Sequence, residues 1–124
     1  SGAWGSTGAL RAGVVATCTP LVQDMVICGH DRDVLGVLIW PSAAGTALKP
    51  DDLRQRLSAS LATWNRDNPA SSTAVRCFRV LPTPPSIDAN EITDKGYVNQ
   101  RAALAARADE VEALFTDDEG TSRP

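Results

Sequence analysis

The stretch DMVICGHDRDVLGVLIWP, residues 24–41, sets the architecture of the chain. Two apolar runs, residues 25–28 and 34–40, flank Gly29-His30-Asp31-Arg32-Asp33. Apolar runs of strand length joined by a short polar connection predict a β-hairpin. Both runs are nearly continuous in apolar residues. A strand with one wet face alternates instead, so this pair is expected to be covered on both faces, by helices or by a second domain.

Helices are expected on either side of the hairpin. Leu10, Val14 and Cys18 recur every four residues and predict a helix over 9–19, ended by Pro20. In PDDLRQRLSASLATWNRDNP, residues 50–69, Leu53, Leu57, Leu61 and Trp64 form an apolar stripe at helical spacing, with Trp64 expected in the core. Asp51 is the expected N-cap, and the two aspartates suit the positive end of the helix dipole. Residues 74–82, AVRCFRVLP, predict a third strand with imperfect alternation, and PTPPS, residues 82–86, a stiff turn. EITDKGYV, residues 91–98, reads as a short extended segment with a tight turn at Lys95-Gly96. Asn99 is suited to cap one last helix carrying Leu104, Val111 and Phe115, with Arg101 and Arg107 on its solvated face. Residues 116–124 are polar and expected to fray. The order α-β-β-α-β-(β)-α predicts an α+β fold, a small three-stranded sheet (the hairpin plus a third strand) packed with helices.

Composition narrows the function classes. The chain has 124 residues, 43% apolar and 22% charged, with a net charge of −3. That is one soluble-type domain with a core of useful size and no basic field for nucleic acid. No apolar run approaches the length of a membrane span. Three cysteines without paired ligand spacing read as buried, reduced thiols in a cytoplasmic protein, and no metal site is expected. His30 is the only histidine, and nothing near it completes a nucleophilic triad. The glycines of SGAWGSTG, residues 1–8, lack the strand and the Lys-Ser/Thr of a phosphate loop and read as a linker, with Trp4 packing locally or against a partner domain. With no initiator Met and no leading element, the chain is expected to be part of something longer.

The most informative stretch is SIDANEITDKGYVNQRAAL, residues 86–104. Together with PLVQDMVICGHDRDVLGVLIWP (20–41) and SGAWGSTGALR (1–11), it resembles the C-terminal end of feruloyl-CoA synthase-type enzymes, which belong to the adenylate-forming acyl-CoA synthetases. The resemblance runs from about residue 1 to residue 115. It implies that residues 9–115 form a lid that closes over an N-terminal adenylation domain of the same polypeptide, with residues 1–8 just after the interdomain hinge. It further implies ATP with Mg, and coenzyme A, as substrates bound mainly outside this segment. A small aromatic or acyl carboxylic acid would be activated as an acyl-adenylate and then passed to CoA as a thioester. The segment by itself is expected to be inactive.

On that resemblance Lys95 is the candidate catalytic cation, meeting charge that builds on the α-phosphate and carboxylate oxygens. The wider family carries Gly-Lys followed by Ile or Val. Here the order is Lys95-Gly96-Tyr97-Val98, so aligning the glycines places Tyr97 where the lysine falls. Either Lys95 reaches the phosphate from the other side of Gly96, or Tyr97 takes over part of the contact. Thr93 bonds within the turn or contacts phosphate, and Gly96 lets backbone approach the nucleotide. Gly29, His30 and Arg32, on the hairpin loop, are the candidate CoA-binding residues, with Arg32 on a CoA phosphate. The rival reading is a stand-alone, non-catalytic α+β interaction or ligand-binding domain. An apolar patch exposed beside the Lys95 turn would favour the lid.

Overall fold

In the computed structural model, residues 7–29, 32–116 and 119–124 are described. Helix α1 spans Thr7–Thr17, strand β1 Val22–Cys28 and strand β2 Leu35–Pro41. A one-turn helix α2, Ala43–Thr46, leads into the long helix α3, Pro50–Asp67. Strand β3 covers Val75–Val80, and helices α4, Gln100–Ala106, and α5, Ala108–Leu114, follow. The strands form one sheet in the order β1-β2-β3. β1 and β2 pair antiparallel, as the hairpin pattern predicts, with Met25 opposite Ile39 and Cys28 opposite Gly36. β3 pairs parallel to β2, so the fold is α+β with a mixed three-stranded sheet. A parallel neighbour needs a crossover, and α3 supplies it.

Both faces of the sheet are dry, as the continuous apolar runs require. Met25, Ile27, Val37, Ile39 and Phe78 pack against Val14 of α1 and Leu53, Leu57 and Leu61 of α3. Val26, Cys28, Leu38, Trp40 and Cys77 pack on the other face against Ala103 of α4 and Leu114 of α5. Leu57 and Leu61 are fully buried; truncating either to Ala is expected to cost about 2–5 kcal/mol. Trp64 is half-buried at the edge of the first core, and its indole N–H donates to the Thr73 carbonyl at 2.8 Å.

The imperfect alternation of the third strand has a cause. Leu35 pairs with Val75 while Gly36 pairs with Cys77, so Arg76 is an extra residue. That bulge sends Val75 and Cys77 to opposite cores, although two residues apart would otherwise share a face.

Four local expectations are corrected. The long helix begins two residues earlier than a cap at Asp51 would start it: Pro50 takes the first helical position and Lys49 the cap, without a side-chain bond. Proline suits that position because its missing N–H would be unpaired there in any case. Asp51 and Asp52 instead lie in the first turn, where the dipole favours them, and Asp51 pairs with Arg54. The single last helix is two, divided at Arg107. Thr7 and Gly8, expected in a linker, form the start of α1. Part of the tail expected to fray is held: Phe78 and Ser122 exchange two backbone hydrogen bonds of 2.9 Å, and Thr121 Oγ1 donates to the Ala113 carbonyl at 2.8 Å. His30, Trp4 and the glycines at 2 and 5 lie outside the described residues.

Candidate functional site

The turn that carries Lys95 is built by its own sequence. The Thr93 N–H donates to the Tyr97 carbonyl and the Gly96 N–H to the Thr93 carbonyl, both at 2.9 Å. The Tyr97 N–H donates to the Thr93 hydroxyl at 3.1 Å. Thr93 thus bonds within the turn through backbone and side chain alike. Gly96 sits at φ +85°, which a side chain adopts only with strain, and an added Cβ there would meet nothing within 4 Å. Ile92 bridges Val98 below the turn. Residues 93–97 are all exposed, Tyr97 at 71%. Ile87, in the preceding bend of the same loop, is 64% exposed. The loop therefore presents a lysine, a tyrosine and an isoleucine to the outside.

Its base, by contrast, is fastened tightly. Glu91 has 1% of its surface exposed. Its carboxylate takes Arg107 Nε at 2.7 Å and Arg107 Nη2 at 3.0 Å, a two-pronged pair, and also accepts the Ser86 N–H at 2.9 Å. Its backbone N–H donates to the Ser86 carbonyl at 2.9 Å, and its carbonyl accepts the Asn99 N–H at 2.8 Å. Arg107 also bonds the Thr83 hydroxyl and the Pro84 carbonyl, the latter at 3.0 Å, and lies 5.7 Å from the Trp40 ring centre. Burial alone would raise the Glu91 carboxyl, but the Arg107 hydrogen bonds, the Ser86 N–H and the Arg107 charge outweigh it and hold it below its ordinary 4.5. Arg107, expected on a solvated face, is corrected to a nearly buried partner of this carboxylate. The helix break at Arg107 aims its side chain back at the loop.

Asn99 caps α4 as expected, its side chain accepting the Ala102 N–H at 3.2 Å. Gln100 does more than the sequence indicated. Its Oε1 accepts the Ile27 N–H at 3.1 Å, and its Nε2 donates to the Ile27 carbonyl. The helix after the Lys95 turn is thereby tied to the strand that leads into the Gly29 loop.

In that second loop Gly29 sits at φ +103°, and an added Cβ would fall 2.3 Å from the Val34 carbonyl oxygen. The Arg32 N–H donates to the Gly29 carbonyl at 3.1 Å. The Arg32 side chain pairs with Glu112 at 3.0 Å and stacks 4.4 Å above the Phe115 ring centre. It is held by its own domain, about one-third exposed. The candidate residues thus fall into two groups, Thr93-Lys95-Gly96-Tyr97 on one loop and Gly29-Arg32 on the other. Glu91 and Gln100 were not singled out from the sequence. No local pattern in the sequence marks either residue, because their partners lie far along the chain.

Among the described residues, no group of three or more His, Cys, Asp and Glu is placed to hold a metal ion, and no helix is long and apolar enough to cross a membrane.

Comparison with known proteins places this geometry. No curated protein sequence matches the chain. The adenylation–carrier (A-PCP) didomain of carboxylic acid reductase from Segniliparus rugosus, solved with AMP, superposes with a TM-score of 0.64 at 21% identity, over 85% of this chain and 16% of that one. The A domain of the Segniliparus rugosus enzyme, solved with AMP and a co-purified carboxylic acid, gives 0.62 at 21% identity, over 85% and 18%. The adenylation domain of a carboxylate reductase from Mycobacterium chelonae gives 0.66 at 21% identity, over 86% and 18%. The likeness is one of fold, and the chain spans less than one-fifth of each of those chains. Residues 9–119 match the family described as the AMP-binding enzyme C-terminal domain, and with the mixed sheet and its exposed loop this assigns the chain to that family.

Proposed function

We propose that this domain is the closing C-terminal part, spanning residues 9–115, of a cytoplasmic ATP-dependent acid–CoA ligase of feruloyl-CoA synthase type. The observation that carries the reading is the Lys95 turn. It is exposed at the tip and hydrogen-bonded at its base, and the same loop exposes Tyr97 and Ile87. A lid would meet its partner domain with such a loop. Family membership and the fold shared with adenylation domains that act on carboxylic acids support carboxylate activation.

In the first half-reaction a carboxylate oxygen attacks the α-phosphorus of ATP and pyrophosphate leaves. Negative charge concentrates on the oxygens around phosphorus, and the Lys95 ammonium stabilises it once the lid excludes water. Tyr97, on the same turn, offers its hydroxyl to the same oxygens, and Gly96 and Thr93 set the approach of the backbone. On this reading ATP with Mg is bound mainly by the N-terminal adenylation domain, and the Lys95 turn reaches it from outside. In the second half-reaction the CoA thiolate attacks the acyl carbonyl and AMP leaves. The Gly29 loop, with His30 and Arg32, then faces the CoA, and Arg32 exchanges Glu112 for a CoA phosphate. The acid is a small aromatic carboxylate on this reading.

The test uses the intact enzyme. Lys95→Ala is expected to slow adenylation, followed by ATP–pyrophosphate exchange, on the order of a hundredfold or more. Thioester formation from preformed acyl-adenylate is expected to change far less. Equal effects on the two half-reactions, or none on either, would sink the role given to Lys95. Tyr97→Phe in parallel tells whether the phenol shares the contact.

A further inference from the structure

The tip of the Lys95 loop has few anchors of its own. Residues 93–97 are exposed, and the ties that link the loop to the rest of the domain lie at its two ends. One residue gathers both ends. Glu91 bonds Ser86 through its N–H and carboxylate and Asn99 through its carbonyl. The carboxylate is in turn gripped by Arg107, which reaches Thr83 and Pro84 with its remaining N–H groups. Arg107 thus clamps the loop at its start, at 83–84, and directly before the turn, at 91. A planar guanidinium matched to a carboxylate by two bonds fixes direction as well as distance, which a single lysine contact does not.

Resting on the proposed role of Lys95, we infer that Glu91 and Arg107 are positioning residues that set where the Lys95 ammonium stands when the lid closes. Neither touches the reacting atoms. They act through the base of the turn, so a small tilt there displaces the tip, and misplacement of a charge by about 1 Å is enough to cost on the order of a hundredfold in rate.

The experiment is a double-mutant cycle in the intact enzyme, read by ATP–pyrophosphate exchange at a temperature where every variant is folded. Glu91→Gln is expected to lower the turnover of adenylation tenfold or more with the KM for ATP little changed. In a Lys95→Ala background the same substitution is expected to cost less than twofold, because its effect passes through that lysine. Arg107→Lys keeps the buried charge and loses the fork, and the same pattern is expected of it should Glu91→Gln not fold. An equal loss in both backgrounds overturns the inference and reduces the pair to a folding role. If Lys95→Ala is itself silent, the proposed function fails, and positioning is then read by amide hydrogen exchange. Either clamp variant should speed exchange at Thr93, Gly96 and Tyr97 at least tenfold while α3 is unchanged. Unaltered exchange at those amides also overturns it.

Discussion

The carboxamide of Gln100 pairs with both backbone groups of Ile27, as the next strand of the sheet would. β1 is an edge strand, and an edge leaves N–H and C=O groups unpaired. Here one side chain from α4 occupies one residue's worth of that edge. Gln100→Ala leaves the Ile27 groups without it and is expected to cost about 1–3 kcal/mol. Gln100→Glu keeps the acceptor and loses the donor, setting a carboxylate against the Ile27 carbonyl, and should cost at least as much. Urea unfolding of the chain measures both. A loss confined to a few tenths would show that water replaces the amide without penalty.

The Glu91–Arg107 pair carries a larger stake. Glu91→Gln leaves a nearly buried guanidinium facing a neutral amide, and the expected loss is about 3–5 kcal/mol. Replacing both at once, Glu91→Gln with Arg107→Met, removes the stranded charge and is expected to recover part of that loss. Thermal unfolding of the two single variants and the double variant gives the coupling directly.

That pair also fixes a pH dependence. The Glu91 carboxyl lies lower in the folded chain than in the unfolded one. Its contribution is therefore complete above the ordinary carboxylate range and disappears as pH falls through the depressed folded value. Stability followed from about pH 7 down to about pH 2 should decline in the native chain, and decline less in Glu91→Gln over the acid limb. Parallel curves would assign the acid loss to other carboxylates.

Gly36 tests the packing between the sheet and α5. An added Cβ would fall 2.7 Å from Cys77 Sγ and 2.7 Å from Leu114 Cδ2. Gly36→Ala is expected to destabilise by about 1–3 kcal/mol through overpacking. Leu114→Ala opens space for that methyl, so the double variant should be more stable than the sum of the two single losses. Strict additivity in chemical denaturation would count against a direct clash.

The three thiols are all buried. Burial pushes Cys18 up to about 11 and Cys28 to about 12, and it raises Cys77 as well. Thiolate is the reactive form, so a disulfide reagent at about pH 8 should label none of the three in the folded chain and all three in urea. Fast labelling of one thiol in the native state would locate an opening in the core beside it.

What the sequence determined by itself was local and periodic. Two apolar runs around a polar connection specified the hairpin and demanded cover on both its faces. Leu53, Leu57 and Leu61 specified α3, Asn99 its cap on α4, and Lys95-Gly96 the tight turn. Each follows from neighbours a few residues apart, where backbone geometry and burial period decide. Tertiary structure alone decided that β3 runs parallel to β2 and that Arg76 bulges. It alone brought Arg107 inside to meet Glu91 across 16 residues, Gln100 to Ile27 across 73, and Ser122 to the edge of β3 at Phe78. No period encodes such partners. An arginine at a helix break or a glutamine after a cap reads as solvated until packing removes the water and leaves one fixed group within reach.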